Sequence, residues 1–281
     1  VVRIRPPNQR EEDLAKADPA QLGFYSISDD STALTLDPIT KAVSWSRFDQ
    51  VLDIKCDQEQ VFAHTAMPII DATLKGYNAT ILAYGQTGSG KTYTMSGPSS
   101  AFTNPAEKAS QGVVPRALNV LFEKLAAMQD TKYSVQCSYL EIYNEKCRDL
   151  LFKPGAGVAA IGSNSSSKRI DPDDLQINVS DGVSVPGATI RAVESKLQAL
   201  KVMEEGFARR QTASTKMNAQ SSRSHGIFTI YITTAITVNN VCTESTRKLH
   251  FVDLAGSESM GKTGAKGETQ KEGANINTSL S

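Results

Sequence analysis

Ala79-Thr80-Ile81-Leu82-Ala83-Tyr84-Gly85-Gln86-Thr87-Gly88-Ser89-Gly90-Lys91-Thr92 is an apolar run that feeds directly into a glycine-rich loop closed by lysine and threonine. Residues 85–92 fit the pattern G-x-x-x-x-G-K-[ST], in which glycines let successive backbone N–H groups converge on a phosphate. Lys91 is placed to reach the β- and γ-phosphates of a nucleotide, and the Thr92 hydroxyl to hold magnesium. A short buried strand running into such a loop is the context that this chemistry requires.

The same pattern occurs again at Gly256-Ser257-Glu258-Ser259-Met260-Gly261-Lys262-Thr263, also after an apolar strand. There Glu258 would repel phosphate oxygens from inside the loop, and further glycines stand where a supporting helix should start, so the first match is preferred. What precedes the second match explains it better. Leu249-His250-Phe251-Val252-Asp253 is an apolar strand ending in a carboxylate, the arrangement that holds magnesium beside a phosphate loop. Gly256 then offers a backbone amide able to touch a γ-phosphate.

Working outward, apolar residues from Gln58 to Leu74 recur every three to four positions and predict an amphipathic helix ended by Gly76. Short strands are expected at Val1–Arg5, Phe24–Ile27, Ala33–Leu36 and Val43–Phe48, then at Tyr133–Tyr143, Ile227–Val238 and Leu249–Leu254. Helices are expected from Pro115 and over Glu194–Arg210, and Gly155–Ser167 reads as a surface insertion. Strands and helices alternate without a separating linker, which predicts one α/β domain over residues 1–281 with helices on both faces of a sheet.

The 281 residues are 40% hydrophobic and 21% charged, with thirty basic residues balancing thirty acidic ones, so a polyanionic partner must be met by a local patch. The four cysteines form no C-x-x-C or Cys/His metal pattern and read as reduced core residues in an intracellular compartment. No apolar run approaches the roughly 18 residues of a membrane span. The chain opens without Met inside a strand and stops without a terminating signal, and is expected to be a fragment at both ends.

Four separated motifs, in order, resemble those of the kinesin motor domain over the whole chain: Arg3-Ile4-Arg5-Pro6, Tyr84 to Met95, Asn218-Ala219-Gln220-Ser221-Ser222-Arg223-Ser224-His225 and Asp253-Leu254-Ala255-Gly256-Ser257-Glu258. The resemblance implies an α/β, P-loop NTPase-type three-layer domain with a central mixed sheet carrying helices on both faces, acting as a microtubule-stimulated ATPase that uses ATP and Mg2+. Arg3, Arg5, Pro6 and Tyr93 would border the adenine, and Gly85, Gln86, Thr87, Gly88, Ser89, Gly90, Lys91 and Thr92 would cradle the phosphates. Ser221 and Asn218 belong to the first switch beside the γ-phosphate, Ser222 joins Thr92 and Asp253 around magnesium, and Arg223 would pair with Glu258 to close the pocket. Lys262, Lys266 and Lys271 would face acidic tubulin, and Glu268–Leu280 would begin the relay helix.

Ser259 and Gly226 depart from the family pattern, which puts a basic residue and a small side chain there. The rest of the relay helix, the last sheet strand and the final helix are missing, which should weaken folding. The implied partner is the microtubule in the cytoplasm and cytoskeleton, without nucleic acid or membrane insertion. The full-length protein would be a dimer or higher oligomer through regions outside this sequence. A switch GTPase shares the Asp253–Gly256 pattern, but no [NT]-K-x-D guanine motif is present. A catalytically impaired microtubule-binding module is the other alternative, against which the intact Lys91, Thr92, Ser222, Arg223, Asp253 and Glu258 argue.

Overall fold

The computed structural model describes residues 1–17, 24–37, 44–102, 104–128, 131–153, 171–180, 183–216, 223–238 and 241–258. Its contacts divide the chain into two compact units, Val1–Pro68 and Ile69–Ser281.

In the first unit only two residues of the expected opening strand enter a ladder: β1 (Val2–Arg3) pairs in parallel with Val51–Leu52. Helix α1 (Gln9–Ala17) has no buried residue, so hydrophobic periodicity could not reveal it. A capping box holds its start, with Glu11 N donating to Asn8 Oδ1 at 3.0 Å and Asn8 N donating to Glu11 Oε2 at 2.9 Å. The short runs expected here are strands β2 (Phe24–Ile27), β3 (Ala33–Asp37) and β4 (Ser44–Arg47), which the structure pairs as an antiparallel meander, and β5 is Val51–Leu52. Helix α2 (Gln58–Leu74) has the predicted bounds and buries Val61, Phe62, Ala66, Ile70 and Thr73 along one stripe.

The second unit is built on a sheet ordered β6-β11-β10-β7-β8, with β9 also paired to β7. Its strands are β6 (Ala79–Ala83), β7 (Lys132–Tyr143), β8 (Lys146–Asp149), β9 (Arg191–Val193), β10 (Ser224–Val238) and β11 (Val241–Asp253). The β6–β11 pair is parallel and the others are antiparallel, which makes the mixed sheet that was expected. The buried setting predicted for β6 needs correction. It lies at the end of that strand order, and Leu82 is 60% exposed. An apolar run reports affinity for a core, not a strand's position in the sheet.

Helices α3 (Lys91–Met95), α4 (Val113–Ala126) and α5 (Lys196–Lys216) complete the unit. Pro115 lies in the first turn of α4, where its missing N–H costs nothing, and α5 runs past the expected end at Arg210. Of the cysteines, Cys137 and Cys147 are buried, and burial pushes their thiols up to about 12 and about 11. Cys242 is exposed and Cys56 only half-buried, so the core reading holds for two of the four. The Gly155–Ser167 insertion and the expected relay helix lie outside the described residues.

One sheet face is a continuous core of alternating positions: Val135, Cys137 and Tyr139 from β7, Phe228, Ile230 and Ile232 from β10, and Leu249 and Phe251 from β11. Helix α5 lies along β7, and Gly206 makes the close approach possible. A Cβ at Gly206 would overlap the Tyr139 ring, with Cγ only 3.0 Å away. Tyr139 cannot yield easily, because it is buried and stands edge-on to Phe228 at 5.5 Å. Gly206→Val is therefore expected to cost about 2–3 kcal/mol through overpacking, lowering the thermal midpoint by at least about 4 °C. An unchanged midpoint would mean that α5 does not seat here.

Four helical residues advance about 6 Å and two strand residues about 6.6 Å. One turn beyond Gly206, helix α5 thus carries Arg210 to the level of Glu141, two residues beyond Tyr139. That spacing positions the buried charges of the site.

Candidate nucleotide site

Strand β6 ends at Ala83 and the chain turns through a loop whose glycines adopt backbone angles that other residues resist: φ is 154° at Gly85, 78° at Gly88 and 92° at Gly90. Ser89 N bonds Gln86 O at 3.1 Å, and Thr94 N bonds Gly90 O at 2.8 Å as α3 begins. Lys91 is half-buried, and its Nζ donates to the carbonyls of Gly85 at 2.8 Å and Gln86 at 3.0 Å, lying along the loop. Burial holds the Lys91 ammonium below its usual pKa, against the opposing pull of Asp253 and Glu258.

The parallel β6–β11 register sets Asp253 opposite Ala83, and thereby beside the loop. Thr92 Oγ1 donates to Asp253 Oδ2 at 2.7 Å. The backbone continues the docking, with Leu254 N on Ala83 O and Ser257 N on Gly85 O, each at 3.2 Å. Thr87 then donates its N–H to Glu258 Oε2 at 2.9 Å and its hydroxyl to Glu258 Oε1. Burial would raise the Glu258 pKa, but the Thr87 hydroxyl and amide outweigh it and hold the carboxyl below its usual range. Gly256 is squeezed between these groups: a Cβ there would meet Thr87 Oγ1 at 2.5 Å.

Of the residues singled out in the sequence, the structure brings together Gly85 to Thr92, Asp253, Gly256 and Glu258. Arg223 is half-buried just before β10, and Tyr93 is 47% exposed on α3. Asn218, Ser221, Ser222, Lys262, Lys266 and Lys271 lie outside the described residues. In the first unit, Arg3 Nη1 donates to Gln58 Oε1 at 2.8 Å, and Arg5 forms a two-pronged pair with Glu11 at 2.7 and 2.6 Å next to Pro6.

Sequence reasoning missed Arg210, which is 4% exposed and donates through Nη1 to Asp253 Oδ2 at 2.7 Å. It also missed the role of His225, whose Nδ1 accepts from Ala255 N at 3.1 Å and so ties the start of β10 to the segment after β11. Glu141, a charge within the apolar end of β7 at Tyr139–Tyr143, was the available signal for the first.

Burial, with the nearby Arg210 charge, keeps the His225 pKa below its ordinary 6.5, and His250 is also shifted down by burial. Below pH 6.5 the unfolded chain takes up protons that the fold refuses, so stability declines as pH falls from there towards the depressed folded values. Each histidine adds at most about 1.4 kcal/mol per pH unit. The thermal midpoint is expected to drop between pH 7.5 and 5.5, and His225→Asn, which keeps an acceptor, to drop less over that interval; equal slopes would remove His225 as a cause.

Whether the residues fit magnesium and a nucleotide is tested by one atom: Asp253 Oδ1 is buried with no hydrogen-bond partner among the described residues. A hydroxyl and a carboxylate side by side, with an acceptor lone pair to spare, suit a hard cation that keeps waters and phosphate oxygens in its shell. The group fits.

A model of the kinesin motor domain matches residues 3–281. The chain is 40% identical to the kinesin-like protein KIF15 of Homo sapiens, over all of this chain and 19% of that protein. It is 40% identical to the kinesin-like protein 3 of Schizosaccharomyces pombe, over all of this chain and 46% of that protein. With the chromosome-associated kinesin KIF4 of Xenopus laevis the identity is 43%, over 83% of this chain and 18% of that protein. The chain thus spans less than half the length of these relatives. A solved structure of a fast kinesin, considered for its ATPase mechanism and microtubule interactions, superposes with a TM-score of 0.79 at 35% identity, covering 98% of this chain and 70% of that one. These similarities and the site geometry agree: the chain belongs to the kinesin motor domain family and has its α/β, P-loop NTPase-type fold.

Proposed function

We propose that residues 1–281 act as one motor head that binds ATP with Mg2+, hydrolyses it in response to microtubules and couples the cycle to filament binding and movement. The single observation that carries this reading is the double junction at the loop, where Thr92 meets Asp253 and Thr87 meets Glu258.

Backbone amides from Gly85 to Gly90 and the Lys91 ammonium bind the phosphates, while Arg3, Arg5, Pro6 and Tyr93 border the adenine. Thr92, Asp253 and Ser222 would hold Mg2+, which when bound neutralises phosphate charge and orients the γ-phosphoryl group. Ser221 and Asn218 approach the γ-phosphate from the first switch, and Gly256 feels its presence from the second. Glu258 exchanges its Thr87 contact for Arg223 when the pocket closes, an exacting pair suited to a gate. Lys262, Lys266 and Lys271 follow on from that gate and face tubulin.

This reading places the protein on microtubules in the cytoplasm, with oligomerisation left to regions beyond this sequence. Among the described residues no helix is long and apolar enough to cross a membrane. Steady-state turnover of the full-length protein with and without microtubules tests the proposal. Strong stimulation is expected; turnover indifferent to microtubules would overturn it, and nucleotide binding without turnover would favour the impaired binding module.

A further inference from the structure

A nine-residue helix that buries no side chain gains little from a core, and α1 is held instead by its first turn. There Glu11 closes the capping box with Asn8. The same carboxylate takes both prongs of Arg5, whose Nη1 donates to Oε2 at 2.7 Å and whose Nη2 donates to Oε1 at 2.6 Å.

Arg5 is thereby fixed from two directions. Pro6 follows it and restricts the Arg5 backbone to extended conformations, while the two-pronged pair with Glu11 sets the plane of the guanidinium. Nη1 also donates to the Pro6 carbonyl at 2.8 Å. Three of the five guanidinium N–H groups are spent in this way, all of them lying in that plane. The side chain is still 28% exposed, so the plane is fixed without being covered. The Arg5 guanidinium and the Asn8 amide hold the Glu11 carboxyl down to about 2, and the pair stays ionised across the working range of pH.

An arginine so committed is a poor phosphate clamp, because its in-plane donors and much of its charge are already met by a carboxylate. The pairing leaves the faces of the plane to other groups, and a flat cation is a good surface for a purine ring. Lys91 makes the contrast: its ammonium rests on two backbone carbonyls rather than on a carboxylate, and its charge is kept for phosphate.

We propose that Glu11 is a positioning residue for nucleotide recognition, which locks Arg5 as a flat stacking surface for adenine and keeps that arginine from serving the phosphates. The inference rests on the nucleotide reading above and deepens it, by assigning base preference to a side chain that touches no nucleotide. Helix α1 is then the mount of this lock.

The test uses the full-length protein, freed of nucleotide, and compares binding of ADP labelled on its ribose with competition by magnesium tripolyphosphate, which has no base. Thermal unfolding is followed in parallel. Glu11→Gln keeps the shape and loses the charge, and is expected to weaken ADP binding about fivefold while changing that of tripolyphosphate by less than about twofold. Glu11→Asp, which keeps the charge, should recover part of the loss. Because Glu11 acts through Arg5, the double variant Arg5→Lys with Glu11→Gln should bind ADP no more weakly than Arg5→Lys alone. Asn8→Ala loosens the start of α1 but leaves the Glu11 carboxylate in place, and should keep ADP affinity within about twofold. An unchanged ADP affinity in Glu11→Gln, equal losses for ADP and tripolyphosphate, additive losses in the double variant, or an Asn8→Ala effect as large as that of Glu11→Gln would each overturn the proposal. Failure of the unaltered protein to bind either ligand would instead sink the nucleotide reading itself.

Discussion

Replacing Lys91 by methionine is expected to lower ATP turnover at least about a thousandfold while moving the thermal midpoint by no more than a few degrees. The Lys91 ammonium is fixed on the carbonyls of Gly85 and Gln86 at the mouth of the loop, so its position is set before any phosphate arrives. Fixed donors aimed at developing charge are typically worth a hundred- to a thousandfold each, and here the loss is compounded. Asp253 and Glu258 both act electrostatically on Lys91, and without it two carboxylates would face a polyphosphate with less to offset them. Methionine fills the volume of the stem without the charge, which separates chemistry from packing. Single-turnover phosphate release checks this, and a loss smaller than threefold would remove the loop from the reaction.

The second large effect is expected at Glu258. Glu258→Ala should slow phosphate release at least about a hundredfold yet leave nucleotide affinity within tenfold, because among the described residues the carboxylate hydrogen-bonds the loop at Thr87. A group that matters after binding alters the chemical step and spares the affinity. Its lowered pKa keeps it ionised at neutral pH, as a gate partner for Arg223 must be. Fluorescent nucleotide titration alongside a burst measurement separates the two quantities. A parallel loss of both would recast Glu258 as a support for the loop's shape.

Much of this site was legible because its chemistry is local in sequence. Residues 85–92 are contiguous, and their glycines and lysine announce a phosphate cradle before any folding is considered. Asp253 could be placed beside it because an apolar strand ending in a carboxylate suits magnesium next to a phosphate loop, whereas Glu258 was placed there by the family resemblance. The helix over Gln58–Leu74 was legible to the residue, since a periodic stripe bounded by turns leaves little choice. Strand β6 was legible as a strand but not as a marginal one, because pairing partners are a property of the sheet.

Arg210, Glu141 and Gly226 were not legible as a group. Each is unremarkable where it stands in the chain, and only the registers of β7, β10 and β11 make them neighbours. Helix α1 escaped for a different reason: it is held by charges and a cap and buries nothing.

The ladder between β10 and β11 pairs every residue from Val238 with Val241 down to Gly226 with Asp253. The two segments proposed to respond to the γ-phosphate adjoin the same end of this hairpin, one just before Ser224 and the other just after Asp253. Such a ladder resists shear, because sliding one strand along the other would require many bonds to break together. It tolerates twist and splay far better. A load applied to the segment after Asp253 should therefore reach the segment before Ser224 as a rotation of the hairpin's open end, and strain at either would be felt by its neighbour without an intervening loop to absorb it. In mechanical terms the hairpin is a stiff yoke, so the two switches have one compliance between them.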